Sequence, residues 1–171
     1  MSIELTLEQA GRCHATEICD LVNLAYRGNE GWTRETDFVQ GDRTTYSDIV
    51  SLISNPFSHL LFVKKSKELV ACVCIEKKES DAYIGLFAVH PKQQGRGVGK
   101  LILTQVEAYA LMHLGARRFI MVVVSQRQEL IAYYKRRGYL RTGKIKNYPE
   151  HLDVGVPRQS GLTIEYLEKY A

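Results

Sequence analysis

The chain has 171 residues, 45% of them hydrophobic and 25% charged, with a formal net charge of +4. That length and balance predict one globular domain over residues 1–171 and exclude collagen-like and disordered compositions. No apolar run approaches the ~20 residues of a membrane span. The basic pairs are scattered (Lys64-Lys65, Arg117-Arg118, Lys135-Arg136-Arg137), so neither a membrane nor a nucleic-acid partner is expected.

In chain order, Ile3–Leu7 reads as a short strand. Ile18, Leu21, Val22, Leu24 and Ala25 then recur at helical spacing until Tyr26–Gly31 interrupts them. Gly31 to Arg43 is polar and irregular and contains the only tryptophan, Trp32. Ser47 is positioned to cap a short helix that Asn55-Pro56 ends. Leu60–Val63 and Leu69–Glu76 alternate as antiparallel strands around the polar turn Lys64–Glu68, and Tyr83–Val89 is a further strand. A long helix is predicted from Gly97 to about Leu114, with Leu101, Ile102, Val106, Tyr109 and Leu111 on its buried side and Gly115 as its stop. The uniformly apolar Phe119–Val124 reads as a central strand covered on both faces. A helix over Leu130–Arg137 stops at Gly138, and strands near Tyr139–Thr142 and Leu162–Leu167 finish the sheet. The predicted fold class is α/β, a mixed and mostly antiparallel sheet of six to seven strands flanked by helices.

Cys13, Cys19, Cys72 and Cys74 lack C-x-x-C spacing, and Cys72 and Cys74 fall on one face of one strand. With no apolar leader after Met1, free thiols in a reducing cytoplasm are expected. His14, His59, His113 and His151 have no metal-ligand spacing, so no metal is expected.

The densest chemistry lies in Phe87-Ala88-Val89-His90-Pro91-Lys92-Gln93-Gln94-Gly95-Arg96-Gly97-Val98-Gly99-Lys100. A strand ends, a loop with glycines at alternate positions follows, and a helix begins. Backbone N–H groups converge where no Cβ intervenes, and the helix start adds unpaired N–H groups and a positive dipole end. The order suits a pyrophosphate. It is not a P-loop, because Gly99-Lys100 is followed by Leu101 rather than Ser or Thr, and G-x-G-x-G is not the dinucleotide fingerprint.

The spacing Gln94-x-x-Gly97-x-Gly99 resembles the Q/R-x-x-G-x-G/A signature of the GNAT acyltransferase superfamily. Val89-His90-Pro91 is similar to the V-x-P that closes its fourth strand, and Tyr134-Lys135-Arg136-Arg137-Gly138-Tyr139 to its Y-x-x-x-G-F/Y segment. The resemblance runs from about Tyr83 to Tyr139. It implies transfer of an acetyl group from acetyl-CoA to an amine, by direct attack in a ternary complex. It also implies that the strand ending at Val89 splays from its neighbour, so that main-chain groups of Phe87, Ala88 and Val89 meet the pantetheine arm. The pyrophosphate would lie on Gly95, Arg96, Gly97, Val98, Gly99 and Lys100, with side-chain contacts from Gln94 and Arg96. Tyr134 stands where the family places the tyrosine that protonates the departing thiolate, a proton transfer that suits a desolvated phenol. Tyr133 points about 100° away on the helix and is expected to pack.

Two departures from the family pattern stand out. Where some members carry a glutamate base on the fourth strand, this chain has Tyr83, a poor base. Glu35, Glu76, His90 and a bound water remain as alternatives. Ser125-Gln126-Arg127-Gln128 replaces the asparagine that often contacts CoA, leaving Arg127 as a candidate phosphate contact. Trp32, Glu35 and Tyr83 are candidate acceptor-site residues, with Tyr26 completing an aromatic wall beside Trp32. A small-molecule or peptide amine is the expected partner, a homodimer is possible, and a CoA-binding sensor or regulatory module is the alternative function.

Overall fold

The computed structural model describes residues 4–32 and 34–171. Ile3, where the first expected strand begins, and Thr33, inside the irregular segment, lie outside the described residues. The elements in chain order are β1 (Glu8–Gln9), α1 (Ala15–Arg27), β2 (Val39–Gln40), α2 (Tyr46–Ser54), β3 (Ser58–Lys65), β4 (Glu68–Lys78) and β5 (Asp81–Val89). They continue with α3 (Val98–Leu114), β6 (Arg118–Val124), α4 (Gln128–Arg136), β7 (Leu140–Asn147), β8 (Val156–Pro157) and β9 (Thr163–Tyr170). Seven strands form one sheet in the order β1-β3-β4-β5-β6-β9-β7, and β2 pairs with β8. Every neighbouring pair is antiparallel except β5 and β6. The fold is the mixed, mostly antiparallel α/β sheet that the sequence predicts.

Alternation along the strands supplies both faces of the sheet. Leu60, Phe62, Cys72, Cys74, Leu86 and Ala88 pack under α1 and α2 with Ile18, Val22 and Ile49. Leu61, Val63, Val73 and Ile75 pack on the other side against Ile102, Val106, Ala110 and Ile131 from α3 and α4. The strands buried on both faces therefore read as apolar runs. Cys72 and Cys74 do share a face, and all four cysteines are unpaired. No helix among the described residues is long and apolar enough to cross a membrane.

Three expectations shift. Among the described residues the first strand is Glu8–Gln9, paired to Phe62 and Leu61, and Glu4–Leu7 carry no strand. Thr45, not Ser47, caps α2: its side chain accepts from the Asp48 N–H, and Asp48 answers at the Thr45 N–H. On α3 the buried stripe is Ile102, Leu103, Val106, Ala110 and Leu114, while Leu101 and Leu111 are exposed. Four-residue steps track the helix face more closely there than the bulkier side chains do.

The feature that positions the site is a divergence. β5 and β6 pair only from Asp81 to Tyr83 with Arg118 to Ile120. Arg118 clamps that end, donating to both oxygens of Asp81 at 2.9 and 2.6 Å and to Glu168 at 3.1 Å. Beyond Tyr83 the strands part. On the other edge of β5 the register with β4 slips between Cys72 and Cys74, and Leu86 takes φ 47°, a left-handed value rare for a branched side chain. This bulge turns the end of β5 away from β6. It leaves the splay that the family resemblance implies.

Candidate active site

The loop after β5 enters α3 through two left-handed glycines, Gly95 at φ 75° and Gly97 at φ 77°. A Cβ at either would meet nothing within 4 Å, so the requirement there is conformational, and the concave side of the loop is open. Gly97 caps α3, whose first turn carries no acidic residue to neutralise its dipole. The N–H groups at the start of α3 therefore face a cavity of about 420 Å³. Phe87, Ala88 and Val89 of β5 form one wall, and Gln94, Gly95, Gly97, Gly99 and Lys100 form the floor. Leu130, Tyr133 and Tyr134 of α4, with Arg137 at its C-cap, form the opposite wall. The charged groups on this lining, Lys100, Arg127 and Arg137, are all cationic. A polyanion suits such a cleft.

The α4 wall follows from sequence spacing. Positions 130, 133, 134 and 137 are i, i+3, i+4 and i+7 of one helical face, so Tyr133 and Tyr134 both reach the cavity. Tyr133 packs on the core, as its offset from Tyr134 suggested, and also lines the cavity. Its ring meets the Tyr134 ring edge-on at 5.5 Å and the Trp32 ring at 5.8 Å, and the Arg137 guanidinium lies over it at 4.8 Å. The Nε of Arg137 is buried without a hydrogen-bond partner. The i+3 step from Tyr134 is the signal by which Arg137 could have been found.

Tyr134 is buried, and among the described residues nothing hydrogen-bonds its hydroxyl. Burial, with the neighbouring Tyr26 phenol, pushes its pKa well above the ordinary tyrosine value, against a smaller pull from Arg127. The hydroxyl therefore holds its proton throughout the neutral range. Behind it the Tyr139 ring stands edge-on at 6.0 Å, and Tyr139 donates to Glu107 at 3.1 Å.

A second cavity of about 150 Å³ occupies the splay itself, lined by Ile84 to Phe87 of β5, Met121 to Val124 of β6, and Tyr148, Pro149 and Val154 of the loop before β8. The two cavities share Tyr26, Phe87, Arg127, Leu130 and Tyr134 in their linings. Tyr134 therefore stands where the two cavities meet.

The other expected residues fall as follows. Gln94 lines the first cavity, but its side chain ties the loop together: Oε1 accepts from the Trp32 N–H at 2.8 Å, and Nε2 donates to the Val89 carbonyl at 3.0 Å. That carbonyl is thereby engaged. Arg96 is exposed and off the cavity lining, and Val98 packs on the core. Trp32 lines the first cavity rather than the second, packing on Tyr133 and not on Tyr26. Tyr83 lines neither. It lies at the clamped end of β5 beneath Lys78, away from both cavities.

Glu76 pairs beside Tyr83, equally remote, and His90 Nδ1 accepts from the Lys92 N–H at 3.2 Å outside both linings. Glu35 is buried, and Arg127 lies nearly buried against it. Glu35 Oε1 accepts from Arg27 at 2.9 Å and Oε2 from Arg127 at 3.1 Å. Arg27 also donates to the carbonyls of Gly41 and Val154 and to the Tyr148 hydroxyl. Glu35 thus organises one wall of the second cavity. Nothing in a lone glutamate between polar neighbours signals two arginine partners, one of them 92 residues away. Among the described residues, no cluster of three or more His, Cys, Asp or Glu is placed to hold a metal.

Comparison with known proteins agrees with this geometry. The model of the acetyltransferase (GNAT) family matches residues 15–139. No curated protein matches the chain by sequence. Among solved structures, an acetyltransferase of the GNAT family from Streptococcus pneumoniae superposes with a TM-score of 0.70 at 14% identity, covering 98% of this chain and 100% of that one. Spermidine N-acetyltransferase from Vibrio cholerae in complex with CoA and spermine gives 0.72 at 13% identity, over 97% and 95%. An acetyltransferase from Thermus thermophilus gives 0.70 at 16%, over 99% and 98%. At these identities the superpositions show a shared fold.

Proposed function

The chain belongs to the acetyltransferase (GNAT) family, and we propose that it transfers an acetyl group from acetyl-CoA to a primary amine of a small molecule or peptide by direct attack in a ternary complex. The observation that carries this reading is the pair of cavities that meet at Tyr134, one suited to a polyanionic donor and the other to an acceptor. When bound, the donor supplies an acetyl group activated as a thioester.

The residues present fit that donor. Open space over Gly95 and Gly97 and the uncompensated start of α3 form a cradle for a pyrophosphate, with Lys100 and Arg137 adding positive charge. The α4-facing edge at Phe87 to Val89 offers backbone to an extended arm. Phe87 and Leu130 at the junction exclude water. Tyr134 holds a proton on its hydroxyl for the leaving thiolate. The same dry surroundings that raise the phenol pKa also raise the basicity of a thiolate, so the proton transfer remains workable. Both Glu35 oxygens are engaged by arginines, so the acceptor enters as the neutral amine. As the C–N bond forms and the C–S bond breaks, the proton the nitrogen loses replaces the one Tyr134 gives to the thiolate. Four unpaired thiols suit a reducing compartment such as the cytoplasm.

The test is release of free CoA thiol from acetyl-CoA with a panel of amines, with the acetylated product identified by mass. Amine-dependent release supports the reading. Saturable acetyl-CoA binding with no amine acetylated would favour a sensor or regulatory module instead.

A further inference from the structure

The second cavity carries information about the acceptor, within the acetyl-transfer reading above. Among the described residues, the charged groups on its lining are Glu35, Arg43 and Arg127. Glu35 is the only carboxylate of the three, and both its oxygens are already held by arginines. Arg43 is different. Its guanidinium lies over the Tyr26 ring at 5.5 Å, its backbone N–H donates to Asn23, and its side chain forms no ion pair among the described residues. Burial raises the pKa of both the Tyr26 and Tyr148 phenols, and the charge of Arg43 opposes that rise at each, so it is felt on both sides of the chamber.

We infer that the acceptor is a short amine that also carries a carboxylate, and that Arg43 binds that carboxylate while the amine faces Tyr134. The guanidinium fork matches a carboxylate in shape and charge, and its cation–π contact with Tyr26 restrains it beside the chamber. A polyamine fits poorly, because its charges would face Arg43 and Arg127 with no uncommitted carboxylate on the lining. The chamber, at about 150 Å³, also favours a compact zwitterion over a peptide or a long polyamine. This sets the chain apart from the spermidine N-acetyltransferases whose fold it shares.

The experiment uses L-amino acids, their carboxamides and spermidine as probes. Initial rates of CoA release are measured with acetyl-CoA, and calorimetric binding of the same probes is measured on CoA-loaded protein. The expected result is that carboxylates exceed their carboxamides at least tenfold in kcat/KM, mainly through KM. In Arg43→Met that ratio should collapse to within threefold, and Arg43→Lys should restore part of it. Melting temperatures of both variants exclude unfolding as the cause. Preference for carboxamides or spermidine, or a ratio unchanged in Arg43→Met, would overturn the inference while leaving acetyl transfer intact. If no probe is acetylated yet carboxylates bind CoA-loaded protein through Arg43, the carboxylate site stands, and the transferase reading falls together with the role of its ligand as acceptor. If no carboxylate probe binds or reacts, the inference falls.

Discussion

The hydroxyl of Tyr133 stands 3.2 Å from the point where a Cβ on Gly99 would lie. Gly99 is thus glycine for a different reason from Gly95 and Gly97: its backbone is ordinary helix, and the constraint is close approach across the first cavity. Gly99→Ala would press the Tyr133 ring, which Trp32, Tyr134 and Arg137 hold from other sides. The expected outcome is acetyl-CoA binding weakened about threefold to tenfold with stability nearly unchanged, since alanine gains up to about 1 kcal/mol of helix propensity. Calorimetric titration beside a urea melt separates the two effects.

Gly97 should behave in the opposite way. Space is open above it, but φ 77° is left-handed, so Gly97→Ala should cost about 1 kcal/mol of stability. Gly97→Asn should cost less, because asparagine tolerates that conformation. Equal midpoints of urea unfolding for the two variants would count against a purely conformational role.

Glu35 is expected to be a fold residue. Glu35→Gln leaves two buried guanidinium groups short of a counter-charge, and should lower stability by about 3 kcal/mol. The other three acceptors of Arg27 moderate that loss. At temperatures where the variant remains folded, the pH dependence of kcat/KM should keep the shape of the wild type. Loss of an acidic limb from the profile would instead make Glu35 a base.

The glycine loop was legible in the sequence because few residues substitute for a left-handed backbone. The main strands, though not their order in the sheet, followed from alternation and from the apolar run Phe119–Val124. Tyr134 was placed by its distance from Gly138. What escaped were long-range pairings between polar residues. Arg27, Glu35, Arg127, Tyr148 and Val154 come from four separate stretches of chain, and none has a local pattern that requires the others. The loop before β8 was equally opaque, because β2 and β8 are only two residues each and their pairing lies in the register Val39 to Pro157. Tyr133 packs as expected, but its reach into the cavity was missed by considering one offset on the helix instead of the whole stripe.

The thiols provide a pH test. Burial pushes both Cys72 and Cys74 up to about 12 from an ordinary 9.0, and it also raises Tyr139 and Tyr134. The folded state holds these protons more tightly than the unfolded chain. Their contribution to stability is therefore complete below pH 9 and is lost as pH rises from 9 toward 12. The urea midpoint should be flat from about pH 7 to about 8.5 and fall beyond about 9. At about pH 8 a thiol reagent should modify the exposed Cys13 quickly and Cys19 more slowly. Cys72 and Cys74 should react only on unfolding.

The most direct measurement compares wild type with Tyr134→Phe in two assays: the dissociation constant for acetyl-CoA, and the single-turnover rate of acetyl transfer to a saturating amine. Removing one hydroxyl that no described residue hydrogen-bonds leaves the cavity wall intact, so binding should stay within about twofold. Loss of the proton donor should slow transfer about 100-fold or more. A transfer rate within threefold of wild type, with binding intact, would contradict the placement of Tyr134 as the proton donor where the two cavities meet.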